Sequence, residues 1–389
     1  LLSKAGIGFC ILLKQNAKEN MMSNIHKHIQ ESTVRKLENG GKRRTDLDVI
    51  RLLACLTILL IHFNASVCGY DIAGNFIYPN QLVPIFYFRC VYLGEIGNNL
   101  FFMLSGAALC LSCTDIALTG KGLWRFYKKR FLALMPAFWI AWIVATAAQL
   151  LFGKTVSSAP AWYLVFSLTG MDGYFGFRGW IADWFYQVGE WYLGCALLCY
   201  LVWPFVQWLW KKLPATIFLA GTAAAFTLAV YLGGGNSGLV TIRVCQMVAG
   251  ACFVKYIKTV KNWKLLTGSI AVATACVIWQ DHIHAITVSC AVCWMIFLLL
   301  VLLVECLPHF FEKHAHAISV LSAYTYPIFL VHHKVISLMA ARFDLSTFSY
   351  RYTVVLFIAY MIVSCVSAYV LKCVTDKVVS LFRSGTLRP

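Results

Sequence analysis

One recurrence constrains this chain more than any other feature. Apolar runs of about 18–22 residues return along almost its whole length, each closed by short polar or basic punctuation. A helix rises about 1.5 Å per residue, so each run is long enough to cross a bilayer's hydrocarbon of about 30 Å. The chain has 389 residues, 60% hydrophobic and 13% charged. Soluble domains are about 45–50% apolar and about 25% charged, so the surplus must face lipid rather than one water-soluble core. The fold class expected is all-α and polytopic, with about ten transmembrane helices.

The runs place the helices at about 49–68, 97–114, 131–152, 184–210, 215–232, 239–257, 265–280, 285–307, 318–341 and 353–373. Residues 1–48 form a polar N-terminal segment ending in Lys42-Arg43-Arg44, residues 49–373 the transmembrane domain, and residues 374–389 a basic tail. The first residues carry no cleavage pattern of a secretory signal, and Met21-Met22 is read as a natural start that leaves residues 1–20 non-native.

Charge tests the topology. The formal net charge is +17, and about 25 of the 33 Lys and Arg fall in alternate connections once the N-terminus is placed inside. Only about five, among them Lys154, Arg178, Arg342 and Arg351, fall outside. This bias puts both termini in the cytoplasm and accounts for the basicity without nucleic acid. The 16 cysteines lie mostly inside apolar runs. Cys110-Leu-Ser-Cys113 and Cys290-Ala-Val-Cys293 therefore read as small apolar fillers, and no metal is expected.

Ionisable groups inside a span are costly, so each is a candidate site. Arg51 and His62 share the first helix. Eleven residues at about 100° each come within about 20° of three turns, so both lie on one stripe about 16 Å apart along the axis. An imidazole in apolar surroundings suits general-base work near neutral pH, or it is a hydrogen-bonded packing residue. An inner-face guanidinium suits a polyanion, or it snorkels to headgroups. His332 and His333 in the ninth span fall about as deep as His62 and are candidates for a proton relay or acceptor binding, with Lys334 beside them. Ser105-Gly106 in the second span permits close helix approach, with Ser105 a weak nucleophile or acceptor contact. The segment Gly170–Trp180, with Glu190 and Trp191 beyond it, mixes aromatic rings and carboxylates as sugar sites do, or belongs to the aromatic belt at the interface. Arg125, Lys128, Lys129 and Arg130 offer an inner basic rim for a polyanionic ligand.

Taken in order, these segments resemble acyltransferase family 3, the integral membrane acyltransferases. Asp48-Val-Ile-Arg51 followed by His62 resembles the family's first-helix arginine and histidine. Phe101-Phe-Met-Leu-Ser-Gly106 resembles its second-helix signature, and Arg130 followed by Pro136 its basic entry to the third helix. Trp191-Tyr-Leu193 with Tyr200 and Pro204 is similar to its fourth helix, and Tyr326-Pro-Ile-Phe-Leu-Val-His332 to its late tyrosine-to-histidine stretch. Two positions depart from the pattern: Ala133 stands where a second arginine is common, and Ala196 where many members carry glutamate.

The resemblance implies transfer of an acyl group, acetyl first among them, from cytoplasmic acyl-CoA to a hydroxyl of a cell-surface or lipid-linked carbohydrate. His62 would be general base or acyl carrier. Arg51 and the Arg125–Arg130 cluster would hold the donor's phosphates, and Ser105, Glu190, Trp191, Tyr326, His332 and His333 would border the acceptor. Acetyl-CoA would be a co-substrate, with no metal. The expected partners are the acyl-CoA, a carbohydrate or glycolipid acceptor and membrane lipids, without nucleic acid, in a multi-pass protein of a bacterial cytoplasmic membrane. A transporter or flippase of a lipid-linked sugar is the competing expectation, because buried His, Arg and Lys would also serve it.

Overall fold

In a computed structural model the described residues are 44–385, apart from 70–92, 152–156, 183–184, 186, 237, 261–262 and 345–346. They form helices and no strand. The chain runs through α1 (Thr45–Cys68), α2 (Leu93–Ser112), α3 (Gly120–Leu151), the short α4 (Leu164–Leu168) and α5 (Asp172–Phe177), α6 (Glu190–Lys212) and α7 (Ala215–Leu232). It continues through α8 (Val240–Cys252), α9 (Trp263–Ile278), α10 (Ala285–Cys306), α11 (Pro308–Ser322), α12 (Thr325–Ala340) and α13 (Tyr350–Gly385). Every one of the ten apolar runs holds a helix. Seven segments are long and apolar enough to cross a membrane: Thr45–Cys68, Gly120–Leu151, Trp191–Lys212, Ala215–Leu232, Val240–Ile257, Ala285–Cys306 and Tyr350–Leu381.

Four boundaries differ from the reading of hydropathy. The basic segment Lys121–Arg130, read as a loop, is the first part of α3. Hydropathy sees its charges, but Lys and Arg are good helix formers and their exposed faces do not interrupt backbone bonding. The last span does not stop at Cys373 but continues to Gly385, so most of the tail is helix. The fourth span begins at Glu190, where Gly189 takes φ 98° and ends any continuous helix from upstream. The single span expected at 318–341 is broken at Ala323-Tyr324 into α11 and α12. Proline at Pro327 has no N–H and its ring crowds the carbonyl four residues back, at Ala323, which favours a break there, whereas Pro136 and Pro204 are accommodated inside α3 and α6.

Glycines set the tightest crossing. A Cβ on Gly106 of α2 would overlap the Met247 carbonyl of α8, and one on Gly250 would overlap the Met103 carbonyl of α2. The two backbones thus touch where lipid-facing helices without small residues could not. Gly97 of α2 lies close against the side chains of Thr57 and Ile58 of α1. Around α1 and α2 gather α8, α10, α11 and α12, with α13 and α3 outside α12. After α8 a π-turn, Phe253–Ile257, leads to Lys258 at φ 63°. That turn is tied by Arg44, whose guanidinium donates to the Lys258 carbonyl at 3.0 Å, and by Glu305, which accepts from the Val260 N–H at 3.1 Å.

Candidate functional site

The break before α12 re-aims that helix across α1, and the two bring three imidazoles together. His62 of α1 lies with its ring centre 4.1 Å from that of His333 and 5.1 Å from that of His332, and the two α12 rings are 4.7 Å apart. His332 is fully buried, and His62 and His333 are half-buried. The Phe329 carbonyl lies 2.7 Å from His332 Nδ1. A carbonyl only accepts, so Nδ1 is the donor in this contact. Consecutive residues on a helix point about 100° apart, so His332 and His333 can both meet His62 only from the two sides of one crevice. Behind them Phe329 packs edge-on to Tyr192, which lies 4.7 Å from Phe102.

Toward the Thr45 end of the same stripe, Arg51 Nη1 donates to Asp48 Oδ1 at 2.7 Å. Asp48 is buried and accepts a second bond from Ser322 Oγ, also 2.7 Å, at the last residue of α11. The guanidinium is half-exposed and fixed from behind, an arrangement suited to holding an anion in front. Hydropathy could not reveal Asp48 and Ser322 as one unit, since they lie far apart in sequence. The only sign was an acidic residue three positions before Arg51.

Other expected residues sit as follows. Arg125, Lys128 and Lys129 are exposed on α3, and Arg130 is half-buried with its guanidinium 5.9 Å from the Phe126 ring. Helix α3 packs on α12, as α1 does, so the basic turn and Arg51 stand on helices that share a neighbour. Ser105 Oγ donates to the Phe101 carbonyl at 2.9 Å and receives the Tyr200 hydroxyl at 3.4 Å. The Tyr326 hydroxyl donates to the Leu134 carbonyl at 3.0 Å, tying α12 to α3. The side chain of Glu190 lies outside the described residues. Ala196 is buried, and Ala133 is exposed on α3.

Trp191 stacks on Phe177 at 4.9 Å and faces a charged group within a span. Arg243 of α8 is fully buried with its guanidinium 5.2 Å from the rings of both Trp191 and Phe102. It pairs with Glu95 and bonds Asn99, both on α2, and donates to Gln246 at 3.1 Å. The loop carboxylate Asp172 is turned inward: it accepts Ser167 Oγ at 2.7 Å and the Gly173 N–H at 2.7 Å, and burial pushes its pKa up. Tyr174 is likewise committed, its hydroxyl donating to the Gly238 carbonyl at 3.0 Å. Much of this aromatic segment is therefore internal scaffold. Two cavities of about 490 and 460 Å³ lie between α7, α8 and α10 and at the 280–284 turn, and none of the three histidines lines either. Every cysteine among the described residues is a free thiol.

No curated protein and no solved structure matches the chain. A family model described as an acyltransferase domain matches residues 44–373, nearly everything from the start of α1 through most of α13. That span contains the arginine–histidine stripe, the glycine crossing and the histidine-bearing α12, so the chain belongs to acyltransferase family 3 and is a membrane acyltransferase.

Proposed function

We propose that this protein transfers an acyl group, acetyl first among candidates, from acyl-CoA to a hydroxyl of a cell-surface or lipid-linked carbohydrate, with His62 as the base. The observation that carries this reading is the convergence of His62 with His332 and His333 on the stripe that Arg51 shares. In this account the Thr45 end of α1 faces the cytoplasm. Arg51, held by Asp48, and the basic turn of α3 receive the negative phosphates of the donor. The pantetheine arm extends along α1 toward the imidazoles.

His62 takes the proton of the acceptor hydroxyl, and the oxygen attacks the thioester carbonyl. The C–S bond breaks, the acyl group remains on oxygen, and the departing thiolate takes up a proton. His332 and His333 pass on the proton that His62 acquires. An imidazole suits this task because in its neutral form one ring nitrogen accepts a proton. Phe177, exposed with Trp191 stacked against it, offers a sugar an apolar face.

The test is release of free thiol from acetyl-CoA by the purified protein, read together with label transfer to a glycan acceptor. His62→Ala is expected to remove both while the protein elutes unchanged on gel filtration. A variant that retains transfer would exclude His62 as the base. Transport of a labelled lipid-linked sugar without thiol release would favour the flippase reading.

A further inference from the structure

The three histidines do more than place a base, because their geometry is also that of a metal-ligand set. One ring nitrogen from each of His62, His332 and His333 lies within 4.8 Å of the others. In a tetrahedral zinc site, with Zn–N of about 2.0–2.1 Å, ligand nitrogens stand about 3.3 Å apart. A second observation points the same way. The Phe329 carbonyl, 2.7 Å from His332 Nδ1, accepts from that nitrogen and so makes Nε2 the one to ligate, with the outer-shell support that ligating histidines ordinarily carry. His332 is fully buried and the group contains only imidazoles, the ligand type that suits zinc, copper and nickel rather than magnesium or calcium.

We propose that His62, His332 and His333 form a binding site for a divalent ion of the zinc class, and that occupancy withdraws His62 from acyl transfer. The second half rests on the function proposed above, whereas the first does not. The ion and the acceptor proton compete for one lone pair on His62. Ligation uses that pair, so a metal-bound His62 cannot accept a proton, and release of the ion restores it. The enzyme would then be reversibly inhibited by zinc at the reacting centre itself.

Cobalt(II) titration of the full chain in detergent tests the site without reference to activity. The expected result is one ion per chain, with visible d–d absorption, no thiolate charge-transfer band, and displacement by zinc. Substituting any one of the three, as in His332→Gln or His333→Gln, is expected to weaken binding by more than about 100-fold, beyond the usual cost of losing an outer-shell partner. Gel filtration verifies that each variant is folded. A wild-type protein that gives no such band, or a band that survives replacement of all three histidines or carries thiolate character, overturns the site.

Zinc is then added to the transfer assay. The rate is expected to fall with the fraction of chains occupied and to return with EDTA. A rate indifferent to occupancy, or one abolished by EDTA, overturns the inhibitory role while the spectrum upholds the site. Cobalt binding by a protein that transfers no acyl group under either condition would instead count against the proposed function.

Discussion

Arg51 shows how a single side chain acquires a role from what stands behind it. A half-exposed arginine on an isolated span would sample many rotamers and snorkel to the headgroups. Here Asp48, one turn earlier and buried, holds Nη1 at 2.7 Å, and Ser322 holds Asp48 at the same distance. Asp48→Asn keeps the shape and an acceptor for Ser322 but removes the charge that fixes the guanidinium. Hydrogen bonds to charged groups contribute about 1.5–3 kcal/mol, so if Arg51 grips the donor, its loosening is expected to raise the KM for acyl-CoA by about tenfold or more. The turnover number should stay within about twofold, because Asp48 touches no reacting atom. An unchanged KM in a folded D48N protein would remove Arg51 from the donor site. His62 differs in kind, since its neighbours are other imidazoles and its loss should be felt in turnover.

At the scale of elements, the crossing of α2 and α8 is the fixed point on which the bundle is assembled. Gly106→Ala would drive a methyl group into the Met247 carbonyl, and Gly250→Ala into that of Met103. Neither obstacle is a flexible side chain, so relief requires the helices to separate. Overpacking of this kind ordinarily costs about 1–3 kcal/mol, and displacing backbone lies at the upper end. Both variants are expected to lower the melting midpoint in detergent, whereas Gly268→Ala, which meets open space, should leave it unchanged. Equal midpoints for all three would show the crossing to be looser than described.

Ser105-Gly106 was legible beforehand as a place of close approach, but its partner was not. One strand of sequence states that a helix has a thin face and not which distant helix meets it. The limits of α7 matched the apolar run because Pro214 and Gly233 bracket it. The break before Pro327 was legible in principle from proline chemistry but was masked by continuous hydropathy across residues 318–341. Equal depth of His62, His332 and His333 followed from helix lengths alone. That they touch depended on the broken helix, and the Glu95–Arg243 pair depended on the α2–α8 crossing.

The whole molecule raises a question of parity that the helices themselves sharpen. Seven segments pass as spans by length and composition, and an odd number would put the two ends of the domain on opposite faces of the membrane. The positive charge argues otherwise, because it clusters both before α1 and along the end of α13. Crossing by three further helices, α2, α9 and α12, would reconcile the two. Helix α2 has 20 residues and reaches about 30 Å, enough to cross. Helices α9 and α12 have 16 residues each and reach about 24 Å, short enough to require local thinning or shelter among neighbours. Both have such shelter, α9 against α10, and α12 against α1, α3 and α13. If all three cross, the crossings number ten and the chain returns to the side on which it began. Protease-cleavable tags at the two ends should therefore be cut together in inside-out vesicles and protected together in right-side-out ones. Cleavage of one tag in each preparation would reduce the crossings to an odd number. It would also place Arg51 and the basic turn of α3 on opposite sides if the missing crossing were α2. A single cytoplasmic donor could not then engage both, and the anion grip assigned to α1 and α3 would have to be divided between two ligands.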